Sequence, residues 1–520
     1  MNVRFLPTAN LEHSGSLVVA TLFESEWDPE GALPAALDAM DARLVSVLRE
    51  AASQEGFEGR VDQACTFHTH GKVKADRVML VGLGSRARFT PEVMRFAAGK
   101  VGKAALRLKV TDLGISLPDD PSMPALVRAT VEGLLLGQYR FDRYRTQGME
   151  SKGSTSVDRL RLVLPPSQRK ERELEEAAAY GMQVAVATNW ARDLVNEPAG
   201  VITPRRLAQE AESMAKRAGL SCSIGGRKEL ERLKMGMFLG VAQGSAEEPQ
   251  LIHIKYIPKN PKHAKRPMLA LVGKAITFDS GGLSLKSAEG MVGMKTDMAG
   301  SAAVLGAMQV IAAIRPPFPV HAFMGACENM PSGTAYRPGD ILISRMGKTV
   351  EITNTDAEGR LVLGDILAWA NEQKPAAMVD LATLTGACMV ALGHYVVGAF
   401  GDDDALMNDV LDAAREAGEE MWRLPIHDMQ KDALRSEVAD MKNSGERFGG
   451  AINAAVFLRE FVGTTPWVHL DIAGPSQSPR ERGYHLKGAT GVGVRTLVEL
   501  VRKKGDRLLF HSGSQSLGEK

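Results

Sequence analysis

Five short strand-like runs, separated by stretches of helical period, constrain the second half of this chain more than any other feature: LIHIKYI from residue 251, MLALVG from 268, VHAFMGA from 320, AAMVDLATL from 376 and WVHLDIAG from 467. Strands that alternate with helices predict a mostly parallel sheet with helices on both faces. Such sheets place their chemistry beyond the carboxyl ends of the strands. Lys274 follows MLALVG directly, Asp380 ends AAMV, and Asp471 stands just before Ala473-Gly474, so polar residues gather where that rule directs attention.

The first 150 or so residues repeat the pattern, with strand-like runs at 16–23 and 77–82 and a helical period over 33–52. Gly82-Leu83-Gly84-Ser85-Arg86-Ala87 matches G-x-G-x-x-A, but the helix start at Thr90-Pro91-Glu92 comes too late for its N-terminus to meet a pyrophosphate. A plain strand-to-helix turn is expected there. Residues 168–196 are charged and helical and stop before Pro198; Thr203-Pro204 then opens a new helix. The fold class is therefore α/β. An N-terminal α/β domain (1–167) is joined by a linking helix (168–196) to a larger α/β domain (197–520), whose end, HSGSQSLGEK, is expected to fray.

Charge narrows the partners. Sixty-three Lys and Arg against 62 Asp and Glu leave a net charge of +1, so no global field recruits nucleic acid or an anionic membrane. A small molecule or peptide is the expected partner. The basic run 259–266 reads as a solvated turn. Cys65, Cys222, Cys327 and Cys388 lie far apart and suggest neither a disulfide framework nor a zinc knuckle. With no apolar leader and no apolar run of membrane-spanning length, a cytoplasmic protein without a membrane partner is expected.

The octapeptide Asn354-Thr355-Asp356-Ala357-Glu358-Gly359-Arg360-Leu361 crowds two carboxylates and a guanidinium together. In an extended chain Asp356 and Glu358 would project to one side, which requires something positive between them: a metal, a basic side chain or a shared proton. Alone, the run reads as a solvated acidic turn. Upstream, Gly273-Lys274 fails as a phosphate loop, because Met268 stands where the first glycine belongs and Ala275 where the Ser or Thr belongs. Lys274, Asp279, Lys286 and Asp297 instead follow one another through a Gly-rich loop, with Asp297 ahead of a strong helix where a cap is the ordinary role. Ser280 lacks a G-x-S-x-G elbow and an activating histidine.

Taken in order, VGKAITFDSGG, SLKSAEGM, MKTDMAG, ENMPSGTAYRPGD, NTDAEGRL, DLATLTGA and GATGVGVRTL resemble the motifs of the leucine aminopeptidase (cytosol aminopeptidase) family of two-metal exopeptidases. Ala275, Ser287 and Ser301 depart from the usual pattern of glycine, proline and alanine, and none is a ligand or catalytic group. The resemblance implies that Lys274, Asp279, Asp297, Asp356 and Glu358 hold two divalent ions, Mn2+ or Zn2+, and that Lys286 and Arg360 are the catalytic pair, with a bicarbonate on Arg360. It also implies that Met294, Asn354, Thr383, Leu384, Gly386 and Ala473 bind the substrate, a peptide with a free N-terminus whose first residue is leucine or another apolar one. A homohexamer is implied, and some members carry an additional DNA-binding or transcriptional role. The residue chemistry agrees with the ligand set. Four carboxylates call for compensating cations, and Lys274 could ligate only as a neutral amine, its pKa brought down from about 10.4.

Overall fold

The computed structural model describes residues 1–7, 11, 15–146, 156–166 and 171–504; the HSGSQSLGEK tail and residues 168–170 of the expected linking helix lie outside them. The chain divides into one unit of Met1–Val186 with Arg480–Lys487, and another of Ala187–Pro479 with the chain from Gly488 onward. The division falls inside the helix Glu171–Asn196 rather than at its end, and the first unit takes in a segment from far down the sequence.

In the first unit, strands β1 (Asn2–Pro7), β2 (Leu17–Phe23), β3 (Ala64–His68), β4 (Arg77–Gly84), β5 (Asp112–Ser116) and β6 (Arg159–Leu164) form a sheet in the order β1-β6-β5-β2-β4-β3. All neighbours are parallel except β3 with β4. Every residue of β2 is buried, as a strand covered on both faces requires. The helix expected over 33–52 is two helices, Ala35–Arg43 and Val47–Gln54, because Val45 and Ser46 are left-handed at φ 60°. Buried Asp41 holds the break, accepting from Leu48 N at 3.1 Å and from Arg49 Nε at 3.3 Å. After β4 the next α-helix, Pro91–Arg107, begins at Thr90, whose hydroxyl accepts from Val93 N at 3.4 Å. That start is as late as the sequence indicates.

In the second unit, β7 (Ser221–Gly225), β8 (Gln250–Tyr256), β9 (Leu269–Asp279), β10 (Val320–Asn329), β11 (Ala377–Ala382), β12 (Val397–Phe400), β13 (Met421–Arg423) and β14 (Trp467–Asp471) form one sheet. Its order is β13-β12-β14-β11-β9-β10-β8-β7. The centre β14-β11-β9-β10 is parallel, while β8 and β7 on one side and β12 against β14 are antiparallel. LIHIKYI is thus antiparallel to β10. It reaches β9 through the exposed one-turn helix Pro261–Ala264 inside the basic run. The helices Ala299–Ile314 and Glu358–Glu372 bury most of their length. Among the described residues, one stretch, 288–314, is long and apolar enough to cross a membrane by composition; its most apolar 18-residue window is 78% buried, and the stretch is broken into Ala288–Met291, Met294–Thr296 and Ala299–Ile314.

Candidate active site

Lys274 does not sit where a strand hands over to a loop. β9 continues past it to Asp279, and five residues of strict alternation would put the two side chains on opposite faces. The register against β10 slips instead: Ile276 pairs with Cys327 and Phe278 with Glu328, leaving Thr277 extra. One extra residue restores the same face, so Lys274 and Asp279 point into one site.

Asp356 and Glu358 are likewise not on an extended segment. Thr355 and Asp356 form a turn, and Glu358 opens the helix Glu358–Glu372. The positive end of that helix favours the carboxylate, which is buried. Asn354 shapes the turn: its side-chain oxygen accepts from Asp356 N at 2.9 Å, and its carbonyl accepts from Asn443 Nδ2 at 2.6 Å. Gly359 is helical and does not turn the chain toward the pocket. A Cβ there would lie 2.4 Å from Lys274 Cε, so glycine makes room for the lysine.

The result is a cage. One oxygen from each of Asp279, Asp356 and Glu358 lies within 4.8 Å of the others. Lys274 Nζ bridges Asp297 Oδ1 at 2.8 Å and Glu358 Oε1 at 2.9 Å, and donates to the Thr383 carbonyl at 3.0 Å. Lys286 Nζ bridges Asp279 Oδ2 at 2.8 Å and Asp356 Oδ1. Asp297 does not N-cap the helix Ala299–Ile314: Oδ1 also accepts from Thr383 Oγ at 2.8 Å, and buried Oδ2 has no hydrogen-bond partner. Arg360, buried, donates to the Asn443 carbonyl at 2.9 Å, while its Nε has no partner.

Burial holds the Asp297, Glu358 and Asp356 carboxyls above the usual carboxylate range, helped by repulsion from Glu358 and Asp279 on Asp297 and from Asp279 on Glu358 and Asp356. Burial alone would lower the Lys274 and Lys286 ammoniums, but the carboxylates outweigh it and raise both. Burial lowers Arg360 to about 10. With this chain's charges alone, then, Lys274 is an ammonium and not the neutral amine expected of a ligand. Divalent cations among the same carboxylates would compete for those oxygens and reverse that balance. The donor set fits them: oxygen-rich with one nitrogen, no thiolate, and an unpaired buried Asp297 oxygen.

Of the remaining expected residues, Leu384 N and Ala473 N both donate to Asp471 Oδ1, at 3.3 and 3.1 Å. Met294 is half-buried in the turn ahead of Asp297, and Gly386 is exposed at the start of the helix Gly386–Leu392. Asp380 is no strand-end residue: within β11 it binds buried His469 Nδ1 at 2.6 Å and Trp467 Nε1 at 2.7 Å. Ser280 Oγ donates to the Asn329 carbonyl at 2.6 Å, and Ser287 caps the turn Ala288–Met291.

Sequence reasoning passed over three buried supports. Asn329 Nδ2 donates to Asp279 Oδ1 at 2.8 Å and to the Thr355 carbonyl at 3.0 Å. Tyr336 donates to the same carbonyl at 2.7 Å, and Asn443 Oδ1 accepts from Thr353 N at 2.9 Å. Asn329 and Tyr336 stand in ENMPSGTAYRPGD, where they were legible only as motif letters. Asn443 had no signal at all.

A carboxylate cage at the carboxyl ends of a parallel sheet is the construction of a metal-dependent hydrolase. The sequence model of the cytosol aminopeptidase family's catalytic domain matches residues 189–498, and that of its N-terminal domain matches 21–148. A probable cytosol aminopeptidase of Geobacter sp. (strain M21) is 44% identical over 495 residues, 95% of this chain and 98% of the relative. One of Solibacter usitatus (strain Ellin6076) is 47% identical over 442 residues, 85% and 90% of the two chains. Among solved structures, a mutant of tomato leucine aminopeptidase superposes with a TM-score of 0.87 at 36% identity, covering 97% of this chain and 96% of that one. The bottromycin maturation enzyme BotP in complex with Mn gives 0.81 at 35% identity, covering 94% and 100%. The chain belongs to the cytosol aminopeptidase family, and is a metallo-aminopeptidase.

Proposed function

We propose that this enzyme removes the N-terminal residue, preferentially leucine or another apolar one, from peptides, using two divalent ions (Mn2+ or Zn2+) held by Lys274, Asp279, Asp297, Asp356 and Glu358. The observation that carries the reading is the convergence of Asp279, Asp356 and Glu358 oxygens within 4.8 Å, braced by two ammoniums that each bridge two carboxylates. Ions bound there supply a Lewis acid and lower the pKa of water toward about 7. Lys286, relieved of Asp356, is placed to hold the oxyanion that develops on the scissile carbonyl. Arg360 keeps a fixed positive charge with a free buried Nε, which suits a bicarbonate acting as base. The walls supplied by Met294, Asn354, Thr383, Leu384, Gly386 and Ala473 orient the substrate. Cytoplasmic residence and a homohexamer complete the proposal, and a net charge of +1 gives no support to a DNA-binding role.

Metal analysis with leucyl-amide hydrolysis tests it. Wild type is expected to hold two ions per chain and to lose activity to a chelator, while Glu358→Ala loses metal and at least ~10^3 in kcat, the scale of removing a group that acts as part of one unit. Full activity after chelation, or undiminished metal in the variant, overturns the assignment.

A further inference from the structure

Asp471, the last residue of β14, is fully buried. Its Oδ1 accepts from the Leu384 and Ala473 amides at 3.3 and 3.1 Å, and its Oδ2 accepts from Thr385 Oγ at 2.6 Å. One carboxylate therefore ties the loop leaving β11 to the loop leaving β14. Burying a carboxylate is costly unless hydrogen bonds satisfy it, and a sheet interior is ordinarily filled more cheaply by an apolar side chain. Among the described residues no Lys or Arg forms a salt bridge with it; its bonded partners are two backbone amides and a hydroxyl. The nearby His469 imidazole is itself locked by Asp380 at 2.6 Å, so it gives a fixed rather than mobile backing.

We infer that Asp471 is a positioning residue that holds Leu384 and Ala473 at a fixed separation and thereby sets which first side chains the substrate pocket accepts. The inference rests on the proposed pocket-lining role of those two residues. Its test compares Asp471→Ala and Asp471→Asn with wild type in the full-length, Mn2+-loaded protein, measuring kcat and KM on leucyl and alanyl amides together with metal content. Asp471→Ala is expected to shrink the leucyl-over-alanyl ratio of kcat/KM about tenfold, the scale at which an apolar pocket discriminates by side-chain size. The change is expected mainly in KM, with metal content unchanged. Asp471→Asn, whose Oδ1 still accepts both amides, is expected to recover most of the ratio. Should Asp471→Ala not fold, Thr385→Val removes the 2.6 Å donor and is expected to move the ratio in the same direction. An active wild type with an unmoved ratio in the folded variants, or a ratio that falls only with loss of metal, overturns this inference alone. A wild type inactive on both amides overturns the proposed activity with it.

Discussion

Gly359→Ala sets two known effects against each other. Alanine is the better helix former by about 1 kcal/mol, and Gly359 sits inside the helix Glu358–Glu372, so propensity alone makes the variant more stable. The new Cβ, however, would lie 2.4 Å from Lys274 Cε and 2.6 Å from its Nζ. The end of a lysine can ordinarily swing aside. This one is only 4% exposed and bound to Asp297, Glu358 and the Thr383 carbonyl, so moving it strands two buried carboxylates. Breaking a buried pair costs about 3–5 kcal/mol, which leaves a net loss of about 2–4 kcal/mol. Urea denaturation of chelator-treated protein reads that difference, and metal titration of the same samples reads its functional side, with affinity expected to fall about 10–100-fold. A variant as stable as wild type that also binds metal with wild-type affinity would show that Lys274 is not held as the distances indicate.

Tyr336→Phe removes the hydroxyl that binds the Thr355 carbonyl at 2.7 Å beside the Asp356 turn; a stability loss of about 1 kcal/mol is expected, and an unchanged urea midpoint would count against the bond. The acid limb of stability should owe much to His253 and His321, which face each other across β8 and β10 at 3.4 Å. Burial lowers them to about 3 and about 4, with His321 and Lys255 as lesser causes for His253 and Lys255 for His321. Folded, both stay neutral where the unfolded chain takes up protons, so stability complete above pH ~6.5 is lost as pH falls toward about 4, by up to about 1.4 kcal/mol per pH unit for each histidine. Denaturation midpoints at pH 7, 6 and 5 should fall less steeply in His253→Gln than in wild type; parallel slopes would refute the attribution.

The residues of the site were legible in the sequence chiefly through the motifs they share with the family. Lys274, Asp279, Lys286, Asp297, Asp356, Glu358 and Arg360 stand out because carboxylates and cations are rare in Gly-rich stretches beside apolar strands, and the order of the motifs identifies the family. The local geometry was less so. Asp356 and Glu358 were expected on an extended segment, yet they converge across a turn and a helix start. Asp297 read alone suggests a cap, and only the resemblance makes it a ligand; its bonds go to residues 23 and 86 positions away.

What the amino-acid sequence determines by itself is periodicity and chemistry: alternating strands and helices, a late helix start at Thr90, and a set of donors suited to hard or borderline cations. What only the tertiary structure decides is which of those donors meet. The extra residue at Thr277 that turns Lys274 and Asp279 to one face is visible only against β10. The antiparallel setting of β8 depends on pairing between distant segments, as does the carboxylate of Asp471 that joins two loops. Local preference acts over a few residues, whereas a metal cage is closed by contacts among side chains that the chain brings together only once the sheet has formed.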